Sequence, residues 1–301
     1  MIPGLSIELS AVIVAVTDES PRVLVVPGDD GDALPAGPFD VENDRTIELA
    51  LRRWVSERAQ LELGYVEQLY TFGDRFRTGD EAGEPRAISI GYLALTREAS
   101  TPRAALSASA TWRDWYEYFP WEDRRNGSPA MVEAQILPAI AEWVESAQDP
   151  AQRESRAERV AAGFPAEAVW DDEFVLQRFE LMYETGLTGL GRPMAFDHRR
   201  ILATAIGRLR GKIKYRPLVF ELLLPEFTFS RLQRTVEALA GVRLHTGNFR
   251  RLVESAGLVE PTGRYERRAR GRPAELFRYR REVLRERPVP GVMQPFRQRA
   301  R

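Results

Sequence analysis

Thr246-Gly247-Asn248-Phe249-Arg250-Arg251-Leu252-Val253-Glu254-Ser255-Ala256-Gly257 decides how the second half of this chain folds. Phe249, Leu252, Val253 and Ala256 recur at i, i+3, i+4 and i+7, the apolar stripe of an amphipathic helix, and Gly257 suits a left-handed C′ position that would end it. The polar face carries Asn248, Arg250, Arg251 and Glu254. Working outward, a preceding helix starts after Pro225 with Thr228 or Ser230 as N-cap, turns Leu232, Val236 and Leu239 inward and stops at Gly241. Before it, a helix from about His198 to Lys214 places Ile201, Leu202, Ala205, Ile206 and Leu209 inward. The short link between the last two helices suits a helix-turn-helix. After them, Leu258-Val259-Glu260 and Glu275 to Tyr279 read as short strands that pair around the arginine-rich loop Gly263 to Pro273. Three helices and a hairpin in this order predict a winged helix.

Charge follows the same division. From Asp197 to Arg301 there are 25 Lys and Arg against 10 Asp and Glu, a net of +15, while the rest of the chain carries −16 and the whole only −1. A basic half beside an acidic one predicts two domains with different partners, the basic one facing nucleic acid. Asn reads adenine and Arg reads guanine in the major groove, and wing arginines neutralise phosphates or enter a minor groove. The candidate DNA-binding residues are therefore Thr246, Asn248, Arg250 and Arg251 on the helix, and Arg264, Arg267, Arg268, Arg270 and Arg272 on the wing. A merely solvated charged surface is the alternative.

With 301 residues, 44% of them hydrophobic, the chain can bury one or two ordinary cores. It has no cysteine, which excludes disulfides, thiolate zinc sites and a cysteine nucleophile. Its two histidines, His198 and His245, fall in different elements, against a histidine-rich metal site. Nothing resembles a secretory leader or an apolar run of about 18 residues, so a soluble, cytoplasmic protein without a membrane partner is expected.

The first half mixes strand and helix. Leu5 to Val16 reads as a buried strand, with Pro21-Arg22 turning the chain into Val23 to Val26. A helix from about Asp44 to Ala59 spaces Ile47, Leu51, Trp54 and Val55 helically, and Val66 to Tyr70 and Ala87 to Leu95 read as strands. Met131 to Ser146 and Phe174 to Thr185 are further helices, and Gln148 to Ala161 extends the first or links the two. The glycine-rich Gly186 to Pro193 marks a boundary. The expected domains are 1–165, a connecting helix and linker 166–196, and the winged helix 197–301.

Leu34-Pro35-Ala36-Gly37, followed by a helix with Arg52-Arg53-Trp54-Val55-Ser56-Glu57-Arg58, resembles a degraded Nudix box. In working Nudix hydrolases that helix supplies glutamates that hold Mg²⁺ on a diphosphate. Here Arg53 and Glu57 match, but Trp54 and Arg58 replace two glutamates, Gln60 replaces the glycine, and the loop is two residues longer. A single carboxylate among arginines repels a dication, so no metal and no hydrolysis are expected.

Glu67 to Asp74, Phe196 to Leu202, Asn248-Phe249-Arg250-Arg251 and Gly271-Arg272-Pro273-Ala274 are similar to the Nudix-related transcriptional regulators of NAD metabolism, the NrtR and NadQ-type repressors. The aromatic run Trp112 to Trp121 resembles the NadQ-like branch. The resemblance spans about Leu5 to Tyr279. It implies a two-domain α/β (α+β) protein, with an N-terminal Nudix-like α/β/α sandwich before a C-terminal winged helix-turn-helix. It further implies a homodimeric repressor of NAD biosynthesis or salvage genes, bound to a palindromic double-stranded operator. The Nudix-like domain would sense an effector nucleotide (NAD, ADP-ribose or ATP) without a cofactor. Candidate ligand residues are Arg53, Glu57, Tyr70, Phe72, Asp74, Arg75 and Arg77: arginines for a diphosphate, aromatics for the base. Core packing is the alternative for Tyr70, Phe72 and Trp54, and a capping role for His198. Rival readings are a nucleoside-diphosphate hydrolase with a basic nucleic-acid-binding tail, a regulator of another metabolite, and a partner-binding module.

Overall fold

The computed structural model describes residues 5–59, 61, 63–73, 86–97, 110–165, 170–266, 273–283 and 291–292. They form two compact units: Met1–Tyr118 with Arg192–Ala205 and Glu221–Leu224, and Phe119–Gly191 with Ile206–Phe220 and Pro225–Arg301. The units interleave along the chain, whereas the expected boundaries at 165 and 197 are consecutive. Among the described residues no helix is long and apolar enough to cross a membrane.

The first unit is built on a mixed sheet of β1 (Leu5–Thr17), β2 (Ser20–Gly28), β3 (Gly31–Ala33), β4 (Ala36–Pro38), β5 (Val66–Phe72), β6 (Arg86–Leu95) and β7 (Thr111–Asp114), with α1 (Ile47–Ala59) between β4 and β5. Its order is β3-β2-β1-β6-β5, with β4 on β1 and β7 on β2. Among the described strands of this sheet only β1 and β6 run parallel, Leu5 opposite Arg86 through Val14 opposite Leu95. The apolar run of β1 is buried from Ala11 to Ala15, as a strand covered on both faces requires. Leu51, Trp54 and Val55 of α1 cover one face, packing on Leu9, Ala11, Ile13, Leu24, Tyr92 and Ala94. Ile201 covers the other: a Cβ on Gly91 would meet Ile201 at 3.3 Å. The expected α/β/α sandwich is present. The β1–β2 hairpin turns at Asp18-Glu19, both at positive φ, rather than at Pro21-Arg22. A two-residue turn with both φ positive matches the strand twist.

Asp32, on β3, fastens the chain near residue 192 to the edge of the sheet. Its Oδ2 accepts from Tyr118 Oη (2.6 Å), Arg192 Nε (2.6 Å) and Arg113 Nε (3.2 Å). Burial pushes the carboxyl up, but these three donors outweigh it and hold the group below its usual range. Asp32→Asn should lower stability by about 1–2 kcal/mol, a value kept small by the partial exposure of both arginines. Denaturant unfolding would measure it, and an unchanged midpoint would refute the role.

The second unit holds α2 (Leu137–Glu145), α3 (Pro150–Gly163), α4 (Val175–Glu184), the second half of α5 (His198–Ile213), α6 (Phe229–Ala240), α7 (Thr246–Ser255) and the strands β8 (Phe227–Thr228), β9 (Val259–Glu266) and β10 (Ala274–Tyr279). The strands pair in the order β8-β10-β9, so the wing is three-stranded rather than a simple hairpin. Residues 150–163 form a separate helix, capped by the Asp149 side chain on Gln152 N with Pro150 in its first turn. Before α2, Val132–Ile136 forms a π-helical turn. At the unit's centre Glu122 is fully buried between Arg178 (Nε 2.6 Å, Nη2 2.9 Å) and Arg210 (Nη1 2.6 Å).

Candidate nucleic-acid interface

The turn from α6 to α7 is set by local hydrogen bonds. Thr228 Oγ1 caps α6 on Arg231 N, and Gly241 ends it at φ +73°. The buried Glu237 carboxylate then accepts Leu244 N (2.9 Å), Gln233 Nε2 (2.9 Å) and Arg243 Nη1 (2.9 Å). Burial pushes this carboxyl up, yet the Leu244 N–H and the Arg243 and Gln233 side chains bring it below its ordinary value. His245 is the N-cap of α7, its Nδ1 accepting from Asn248 N at 3.4 Å, and Gly257 follows the helix at φ +63°.

This geometry presents Thr246, Asn248, Arg250 and Arg251 together on the exposed face of α7, with Phe249 and Val253 buried beneath. Thr246 Oγ1 takes part in the turn through Gln233. Arg250 is engaged by Glu254, whereas Arg251 has no ion-pair partner among the described residues. Arg264 is exposed on β9 and pairs with Glu226. Arg267, Arg268, Arg270 and Arg272 lie outside the described residues. Sequence reasoning missed Phe229 beneath Arg250 and the role of Glu254, although an Arg-x-x-x-Glu pair at i,i+4 was there to be read.

The candidate nucleotide residues are not gathered in the same way. Arg53 and Glu57 stand on α1, where Arg53 donates to Asp44 Oδ1 (2.5 Å) and reaches Glu57 Oε2 (3.4 Å). Its fork is thus already engaged, and the Asp44 hydrogen bond raises the guanidinium further into its charged range. Phe72 lies on the opposite face of the sheet. It pairs with Ser89, and its ring is the first atom group that a Cβ on Gly91 would meet, while Ile90 and Tyr92 pack toward α1. Phe72 is buried core, and Tyr70 sits edge-on to it at 5.6 Å with its own ring exposed. Alternation along β5 and β6 separates these aromatics from Arg53. Asp74, Arg75 and Arg77 lie outside the described residues.

Trp54 belongs to the core and roofs β4, where a Cβ on Gly37 would lie 2.2 Å from its indole nitrogen. Glu57 is exposed beside Arg53, one turn along α1 from the buried Trp54. Among the described residues the one acidic cluster of metal-binding geometry is Asp171, Asp172 and Glu173, in the other unit, and Lys214 Nζ occupies it at 2.6 and 2.7 Å. His198 is structural: its Nδ1 accepts from Leu34 N at 3.1 Å.

Residues 219–279 match the family model of the NrtR DNA-binding winged helix domain. Over 86 residues the chain is 38% identical to the ADPR responsive transcriptional repressor NtrR of Acinetobacter baylyi, a stretch covering 29% of this chain and about a third (34%) of that protein's length. The structure of Shewanella oneidensis NrtR complexed with a 27mer DNA superposes with a TM-score of 0.58 at 23% identity, over 92% of this chain and 94% of that one. A MutT/nudix family protein from Enterococcus faecalis gives 0.55 at 16% identity, over 93% and 88%. Residues 219–279 thus match the NrtR DNA-binding winged helix domain model, and the fold is similar to those of the Shewanella oneidensis NrtR and Enterococcus faecalis MutT/nudix structures.

Proposed function

We propose that this protein is a transcriptional repressor of NAD biosynthesis or salvage genes, whose winged helix holds operator DNA and whose Nudix-like domain senses a nucleotide such as ADP-ribose or NAD. The observation that carries this reading is the coincidence of the NrtR domain match with a capped, exposed α7 bearing Asn248, Arg250 and Arg251. The Acinetobacter relative's name, an ADPR-responsive repressor, supports the effector class. Two copies would place their α7 helices in successive major grooves about 34 Å apart, on a palindromic operator. Hydrolysis is absent in this reading because Trp54 and Arg58 stand where the motif has glutamates and Trp54 fills core space. Incubation with Mg²⁺ and ADP-ribose should yield no AMP; turnover would favour the hydrolase alternative.

Binding is tested by fluorescence anisotropy on duplexes from upstream of the protein's own and neighbouring genes. Replacing both Arg250 and Arg251 by alanine should weaken binding roughly 100-fold, from about 1–3 kcal/mol per base contact. Unchanged affinity would remove α7 as the reader. Saturating ADP-ribose, NAD or ATP, added in turn, should shift operator affinity at least about 5-fold for the true effector. If none shifts it, the sensor half of the proposal fails.

A further inference from the structure

Of the two arginines on the exposed face of α7, Arg250 is the one held by an ion pair among the described residues. Its Nε donates to Glu254 Oε1 at 2.7 Å, and its guanidinium lies 5.2 Å from the centroid of the Phe229 ring. That ring is buried and is itself fixed edge-on by Phe249 (5.9 Å) and Phe277 (5.6 Å). The first residue of α6, a core residue of α7 and a wing strand together back the guanidinium of one arginine. Among the described residues neither of its Nη groups has an acceptor.

We infer that Arg250 is a guanine reader and that Glu254 is the positioning residue that makes it specific; this rests on the DNA-binding reading above. With Nε engaged by Glu254 and the guanidinium backed by the Phe229 ring, the two Nη groups are left as a fork. In the major groove only guanine offers two acceptors, N7 and O6, to such a fork. Glu254 lies away from the Phe249–Val253 stripe, on the side that DNA would approach. A lone carboxylate there would repel phosphate, and Arg250 neutralises it. An ordinary exposed i,i+4 pair adds only slightly to helix stability and carries no base preference.

The test uses the full chain and its Arg250→Lys, Arg250→Ala, Glu254→Ala and Arg250→Ala/Glu254→Ala variants. Each is selected on a randomised duplex library, then titrated at several salt concentrations on the selected site and its single-base variants. The wild-type site is expected to contain a guanine in each half that is preferred roughly 10- to 100-fold over other bases. Arg250→Lys should keep the salt slope and lose that preference, because an ammonium has no fork. Glu254→Ala should reduce the preference at the same position and at no other, and the double variant should bind no worse than Arg250→Ala alone. A Glu254→Ala protein with the wild-type base profile, or an Arg250→Lys defect spread equally over all sequences, overturns the inference while leaving DNA binding intact. No salt-dependent binding of any duplex by the wild-type chain overturns both.

Discussion

Glu122→Gln is expected to cost about 3–5 kcal/mol of stability, the range seen when one partner of a buried ion pair is removed. Glu122, Arg178 and Arg210 are all fully buried, and the carboxylate is the shared counterion of two guanidiniums. Arg178 also donates to Asp171 O (2.8 Å) and stacks 3.8 Å from the Trp170 ring, while Arg210 donates to Leu239 O (2.9 Å) near the end of α6. A glutamine keeps the shape and leaves two buried cations without their anion. Burial pushes the Glu122 carboxyl up, but Arg178 and Arg210 outweigh it and hold it below the usual carboxylate range. A depressed folded value means the contribution is fully present above the unfolded value, about 4.3, and lost as pH falls through the folded one. The gap between wild type and Glu122→Gln, measured by denaturant unfolding at neutral pH and again toward pH 3, should therefore narrow on acidification. A gap under about 1 kcal/mol at neutral pH would show that the triad is not what holds this unit together.

That triad also marks where the chain stops being legible. Its members are 56 and 88 residues apart, and no local period or motif connects a glutamate after an aromatic run with arginines on two later helices. Elements with a strong local signature were legible: the buried run of β1, the capped α6, and α7 with its glycine stop all stand where periodicity puts them. β8 was not, because a two-residue strand exists only through its pairing with Leu276 and Phe277. The break between α2 and α3 carried a readable signal, Asp149 before Pro150. On the site, the exposed face of α7 follows from helical spacing alone. The proposed nucleotide residues required knowing which face of the sheet each strand position occupies, and Arg53 and Phe72 fall on opposite ones.

Restoring the motif glutamate at position 54 is expected to unfold the domain instead of creating a hydrolase. Trp54 is buried with Leu9, Ala11, Ile13, Leu51, Val55 and Tyr92, and Gly37 lacks a side chain where the indole passes. Trp54→Glu removes the largest side chain of that cluster, and truncating a buried tryptophan alone costs about 3–5 kcal/mol. It also places a carboxylate among apolar groups, which adds a desolvation penalty unless the group takes up a proton. The departure at position 54 is thus a packing solution: the tryptophan needs Gly37, which matches the motif glycine, beneath it, and its bulk fills space that an ionised glutamate could not occupy. Trp54→Phe, which retains most of the apolar contact, should lose less and stay folded. The decisive comparison is the thermal midpoint of Trp54→Phe, Trp54→Glu and Trp54→Glu/Arg58→Glu, each then incubated with Mg²⁺ and ADP-ribose. A Trp54→Glu protein as stable as wild type would show that position 54 is not part of the core. A double variant that is folded and hydrolytic would show that the helix still holds the geometry of a metal site, and that only two side chains separate this protein from an enzyme.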